Sequence, residues 1–112
     1  MDNKTLEERI LYSSTLKSKY PGRIPVIIEK CKHDRSELLI DRSKYLIPIE
    51  LSMSEFISLI RKRIKIDSHK AIFIFIDNLL LPMTQVMGEI YNLHKDPDGF
   101  LYVTYRLENT FG

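Results

Sequence analysis

Apolar residues recur at three- and four-residue steps in one part of the chain, where Met53, Phe56, Ile57, Ile60 and Ile64 fall on one face of a helix. The start of that helix is written locally. Ser52 with Glu55 forms a capping box, and Leu51 and Phe56 occupy the two positions that close a hydrophobic staple. An apolar helix face must be buried, and strand-like segments on either side supply a sheet for it. The segment just before it, Tyr45-Leu46-Ile47-Pro48, is unusual because alternation sends Tyr45 and Ile47 to one face and Leu46 to the other, leaving both faces apolar. Pro48 has no N–H to give to a ladder, which places this strand at a sheet edge. Two explanations fit: an edge open to an added peptide strand, or a strand covered on both sides by the protein itself.

The remaining pattern fills out the sheet. Thr5 with Glu8 makes a second capping box, followed by a weak stripe of Leu6, Ile10, Leu11 and Leu16 to about residue 19, which Ser13 and Ser14 are expected to break. Tyr20-Pro21-Gly22 stops any helix. Ile24 to Glu29 reads as the first strand, with Val26 and Ile28 on one face and Pro25 and Ile27 on the other. Residues 30–43 are polar without a period and read as a loop or hairpin connection. Ala71 to Ile76 is a continuous apolar run, expected to be the clearest core strand, covered on both faces. After a turn at Asp77-Asn78, a short helix is expected from Thr84 as cap to about Asn92, with Val86, Met87, Ile90 and Tyr91 inward. Asp96-Pro97-Asp98-Gly99 is a turn, Phe100 to Tyr105 a final strand, and Arg106 to Gly112 a polar tail. Strands apolar on both faces need a layer on each side. The expected fold is therefore α+β: a β-grasp with a four-stranded mixed sheet and an N-terminal helical extension. Its parts are residues 1–20 (extension), 21–106 (core) and 107–112 (tail).

Composition narrows the class. The 112 residues fit one domain, and 44% hydrophobic with 29% charged residues is ordinary for a water-exposed globular chain. No run approaches the about 20 apolar residues of a membrane span, and the start lacks the basic-then-apolar pattern of a secretory signal. A single cysteine, Cys31, cannot form an internal disulfide, which fits a reducing compartment. A formal charge of +2 does not point to nucleic acid. Arg61-Lys62-Arg63 closes a helix, where cations complement the dipole. His33, His69 and His94 are far apart and lack metal-site spacing, and Cys31 has no evident base partner. Paired carboxylates, a glycine-rich phosphate loop and a catalytic triad are all missing, so the chain is not read as an enzyme, and no cofactor or metal is expected.

Several blocks, taken together, resemble the ubiquitin-like autophagy modifiers of the GABARAP (autophagy-related protein 8) family. They are Lys19-Tyr20-Pro21-Gly22-Arg23-Ile24-Pro25-Val26-Ile27-Ile28-Glu29-Lys30, Lys44-Tyr45-Leu46-Ile47-Pro48, Leu59-Ile60-Arg61-Lys62-Arg63-Ile64, Met87-Gly88 with Tyr91, Asp98-Gly99-Phe100-Leu101-Tyr102-Val103, and the terminal Phe111-Gly112. They span nearly the whole chain in order, with about one residue of length difference in the 31–43 loop. The N-terminal region is about a turn shorter than in the family and matches it little. The resemblance implies conjugation through Gly112, with Phe111 in the recognised tail, to phosphatidylethanolamine on autophagic membranes. Activating and conjugating enzymes and a deconjugating cysteine protease would be its partners. The expected location is the cytoplasm, and the autophagosome membrane once the lipid is attached. A chain that ends at Gly112 would need no protease before its first conjugation.

The resemblance also implies a peptide groove along residues 44–48. One pocket, lined by Leu16, Pro25, Ile27, Lys44, Leu46 and Phe100, would take an aromatic side chain. A second, lined by Tyr45, Ile47, Pro48, Leu51, Phe56, Leu59, Ile60 and Arg63, would take an aliphatic one. Two anchors at about 2 to 3 kcal/mol each and a few backbone hydrogen bonds at about 1 kcal/mol, less ordering costs, imply affinities near micromolar. Lys44, Arg63 and Lys19 would favour acidic residues flanking the peptide. Tyr12 stands where the family often has an acidic residue beside the first pocket. The alternatives are a ubiquitin-like peptide-binding module that is never conjugated, and, from another class, a small basic nucleic-acid binder.

Overall fold

The computed structural model describes residues 3–31, 43–64, 66 and 70–107. Helix α1 (Leu6–Lys19) is followed by strands β1 (Arg23–Lys30) and β2 (Lys44–Pro48), helix α2 (Met53–Ile64), strand β3 (Ile72–Phe75), helix α3 (Met87–His94) and strand β4 (Leu101–Leu107). The sheet has the order β2-β1-β4-β3, with β1 parallel to β4 and antiparallel pairs at both edges. This is the expected four-stranded mixed β-grasp sheet with a helix added in front.

Both capping boxes form. The Thr5 hydroxyl accepts from the Glu8 N–H and the Glu8 carboxylate from the Thr5 N–H, and Ser52 and Glu55 repeat the exchange at α2. The α2 stripe then buries Met53, Phe56, Ile60 and Ile64 against Ile24, Val26 and Ile28 of β1, Ile47 of β2, Ile74 of β3 and Leu101, Val103 and Tyr105 of β4. Each such side chain contributes about 1.5 to 3 kcal/mol on leaving water. Pro25 and Ile27 point to the other face, which α1 covers.

Five expectations are corrected. Ser13 and Ser14 do not break α1, which runs unbroken to Lys19. The Ser13 hydroxyl returns to the Ile10 carbonyl and reaches the Asp98 carbonyl, so a residue that competes with helix in isolation is satisfied by a tertiary partner. The expected apolar stripe is not what holds α1 either, since Leu6, Ile10 and Leu11 are exposed and Ser13 is its buried residue. The 71–76 run is an edge strand in which Ile72, Phe73 and Phe75 are only half-buried, because a run of apolar residues does not report whether a strand has one neighbour or two. Finally, the N-cap of α3 is Val86, not Thr84, so the helix begins at Met87, and Val86 is exposed. Backbone bonds fix that start, from Met87 N–H to Leu51 O and from Met53 N–H to Gln85 O. At the other end, Arg106 and Leu107 belong to β4, paired with Phe73 and Ile72, and not to the tail. The 32–42 part of the polar connection, His33, His69 and the tail with Phe111 and Gly112 lie outside the described residues.

Candidate functional site

The backbone of β2 decides what its edge can do. Ile28 N–H donates to Ser43 O at 2.7 Å, and Ile49 N–H donates to Gly22 O at 3.1 Å. In this antiparallel register, with Val26 opposite Tyr45 and Ile24 opposite Ile47, the backbone groups of Tyr45 and Ile47 are the ones turned to β1. Those of Lys44 and Leu46 therefore point away from the sheet, whereas the Pro48 carbonyl accepts from the Leu51 N–H in the following turn. No strand pairs with that side among the described residues. Pro48 costs nothing in the β1 ladder, because its missing N–H would have faced outward.

The side chains on either side of this edge differ in depth. Around the first expected pocket, Pro25, Ile27 and Phe100 are buried, whereas Leu16 and Leu46 are half-buried and Lys44 is exposed. Tyr12 joins them: its ring meets Phe100 edge-on at 5.8 Å with a 75° interplanar angle, and the Lys44 ammonium lies 4.8 Å from its centroid. Around the second, Ile47, Phe56 and Ile60 have no more than 1% of their surface exposed and form the floor of the core. Tyr45, Pro48, Leu51 and Leu59 are half-buried above them. The Arg63 guanidinium stacks 6.0 Å from the Tyr45 ring. A groove on the outer face of α2 is lined by Leu51, Leu59 and Arg63 of the expected set, and additionally by Ser54, Glu55, Ser58 and Lys62. The two serines, one turn apart, leave the room that larger side chains would fill.

One polar cluster carried no local signal. Asp98, 1% exposed, accepts from Arg9 Nε at 3.0 Å, from the Tyr102 hydroxyl and from the Phe100 N–H. Burial and the adjacent Asp98 carboxylate hold the Tyr102 phenol well above its ordinary pKa. This cluster pins α1 to the start of β4 and so sets Phe100 beneath Tyr12. Elsewhere, His94 is bonded to Asp77 at 2.7 Å, and Cys31 is half-buried with its N–H donating to Tyr105 O.

The sheet order, the crossing helix and the added N-terminal helix define a ubiquitin-like protein. The family model described as "Autophagy protein Atg8 ubiquitin like" matches residues 8–112. Autophagy-related protein 8 of Schizosaccharomyces pombe is 51% identical, covering 99% of this chain and 91% of its own length. Autophagy-related protein 8e of Arabidopsis thaliana is 50% identical, covering 100% of this chain and 90% of its own. The crystal structure of Trypanosoma brucei ATG8 superposes with a TM-score of 0.88 at 36% identity, over 98% of this chain and 94% of that one. The chain belongs to the Atg8 family of ubiquitin-like autophagy proteins.

Proposed function

We propose that this protein is a modifier, not an enzyme: it is conjugated through Gly112 to phosphatidylethanolamine on autophagic membranes and there recruits receptors along the free edge of β2. The observation that carries the recruiting half is the outward row of Lys44 and Leu46 backbone groups between half-buried apolar side chains on both faces of the strand. A receptor segment adds as a fifth strand. Its anchors must reach opposite faces of the sheet, toward Leu16 and Leu46 on one side and Leu51 and Leu59 on the other. Successive side chains of an extended peptide alternate, so the anchors are an odd number of residues apart. One residue gives only about 3.3 Å, whereas three give about 10 Å, the better match to a two-sided edge. The aromatic anchor goes to the α1 side and the aliphatic one to the α2 side. Acidic flanks meet Lys44 and Arg63.

The conjugating half rests on the family and on Phe111-Gly112. Gly112 follows Leu107, the end of β4, by five residues, a reach of no more than about 18 Å. A glycine without Cβ enters a narrow enzyme channel in extended form. The activating and conjugating enzymes pass its carboxyl to the lipid amine, and a cysteine protease reverses the link. Two acyl chains then hold the protein stably where one would be marginal.

Intact mass of the membrane-bound form tests the proposal, with two variants beside it. The parent and Leu46→Ala should carry the added mass of a phosphatidylethanolamine, and Gly112→Ala should not. Receptor peptides should bind the parent and Gly112→Ala but not Leu46→Ala. An unmodified parent in cells with active autophagy would leave an unconjugated peptide-binding module instead.

A further inference from the structure

Building on the groove reading above, we infer that Tyr12 is a built-in occupant of the first pocket that an incoming aromatic anchor must displace. Three observations place it there. Its ring packs edge-on against Phe100 at 5.8 Å, the geometry an aromatic ligand would take on that floor. The ammoniums of Lys44 and Lys4 lie 4.8 and 4.9 Å from the ring centroid, and the Lys44 Nζ is 3.5 Å from the Tyr12 hydroxyl. Beneath it, Phe100 and Ile27 are 1% and 2% exposed, so the pocket floor is closed while Tyr12 stays in place. A residue of α1 thus bridges to the first residue of β2 across the site where the anchor should enter.

The helix itself cannot lift easily, because Arg9 and Ser13 fasten it to Asp98. The movement available is rotation of the Tyr12 side chain, which is half-exposed and covered by the mobile ends of Lys4 and Lys44. In the displaced state the peptide's aromatic ring meets Phe100, and Lys44 transfers from Tyr12 to the peptide and its acidic flank. Tyr12 and peptide therefore compete for the same two partners, and the apparent affinity is the intrinsic one scaled by the fraction of molecules with the ring swung out.

The consequence is opposite to that of an ordinary contact residue. Removing the ring should tighten binding by about three- to tenfold, the strength of one aromatic pair, and most of the gain should appear in the association rate. The experiment titrates parent, Tyr12→Ala, Tyr12→Phe and Leu46→Ala with one synthetic peptide, bearing glutamates before a tryptophan and a leucine three residues after it, by calorimetry and stopped-flow fluorescence. Tighter, faster binding by Tyr12→Ala, with Tyr12→Phe close to the parent, is the expected result. Tyr12→Ala binding equal to or weaker than the parent, while Leu46→Ala loses binding, would overturn the displacement mechanism and leave the groove standing. Absence of binding by both parent and Tyr12→Ala would overturn the groove and the mechanism with it.

Discussion

Arg9 Nε donates to Asp98 Oδ2 at 3.0 Å across 89 residues of sequence, tying the first helix to the turn before the last strand. The carboxylate is almost fully buried and the guanidinium about a quarter exposed. Asp98 has further donors in the Phe100 N–H and the Tyr102 hydroxyl, so its charge is met from three sides. Losing the acid and losing the base should then cost different amounts. Asp98→Ala leaves Arg9, Tyr102 and a backbone N–H without their acceptor and should destabilise by about 3 kcal/mol. Arg9→Ala leaves two donors in place and should cost about 1 to 2 kcal/mol. Equilibrium urea unfolding of the two variants separates these values.

Gly99 is held at φ +89° with Ser13 against it, and a Cβ built there would lie 2.3 Å from the Ser13 hydroxyl and 3.1 Å from its Cβ. Gly99→Ala should cost about 2 to 4 kcal/mol through both backbone strain and overlap. Adding Ser13→Ala removes the nearest atom but neither the 3.1 Å contact nor the positive φ. Thermal unfolding of the double variant should show partial recovery, not full recovery.

Tyr102 supplies a pH dependence. Its phenol is held protonated in the folded protein, by burial first and by the neighbouring Asp98 carboxylate second, and its pKa is raised from an ordinary 10.0. The stability this represents is fully present below pH 10. It is lost as pH rises from there through the folded value, because the unfolded chain alone gains by ionising. Base-induced unfolding should therefore set in above pH 10, and Tyr102→Phe should flatten that part of the stability curve. Phenolate absorbance, taken as the difference between the parent and Tyr102→Phe, should show Tyr102 ionising only as the chain unfolds.

Legibility followed the range of the interaction. The two capping boxes, the α2 stripe and the turns at Asp77-Asn78 and Asp96–Gly99 depend on neighbours within a few residues, and all were readable. The chirality of the first turn was implicit in its residues, since Asp77 and Asn78 both take positive φ. What escaped depends on distant partners. Ser13 is compatible with helix because Asp98 O lies above it, and α3 starts where Leu51 and Gln85 bind its approach. The Asp98 cluster has no spacing that could have announced it. Within the site, the apolar two-faced strand was visible, but the outward direction of the Lys44 and Leu46 backbone groups follows only from the register with β1.

The same register supplies the most direct test of the β2 edge as the docking strand. Amide hydrogen exchange, followed by NMR on the full chain with and without the tryptophan-leucine peptide, resolves β2 residue by residue. Tyr45 and Ile47 amides, already turned to β1, should be protected in both states. Lys44 and Leu46 amides should exchange fast in the free protein and become protected by at least about tenfold on binding, as an added strand takes up their outward groups. Protection appearing instead along the other free edge, at β3, with Lys44 and Leu46 unchanged, would contradict the account.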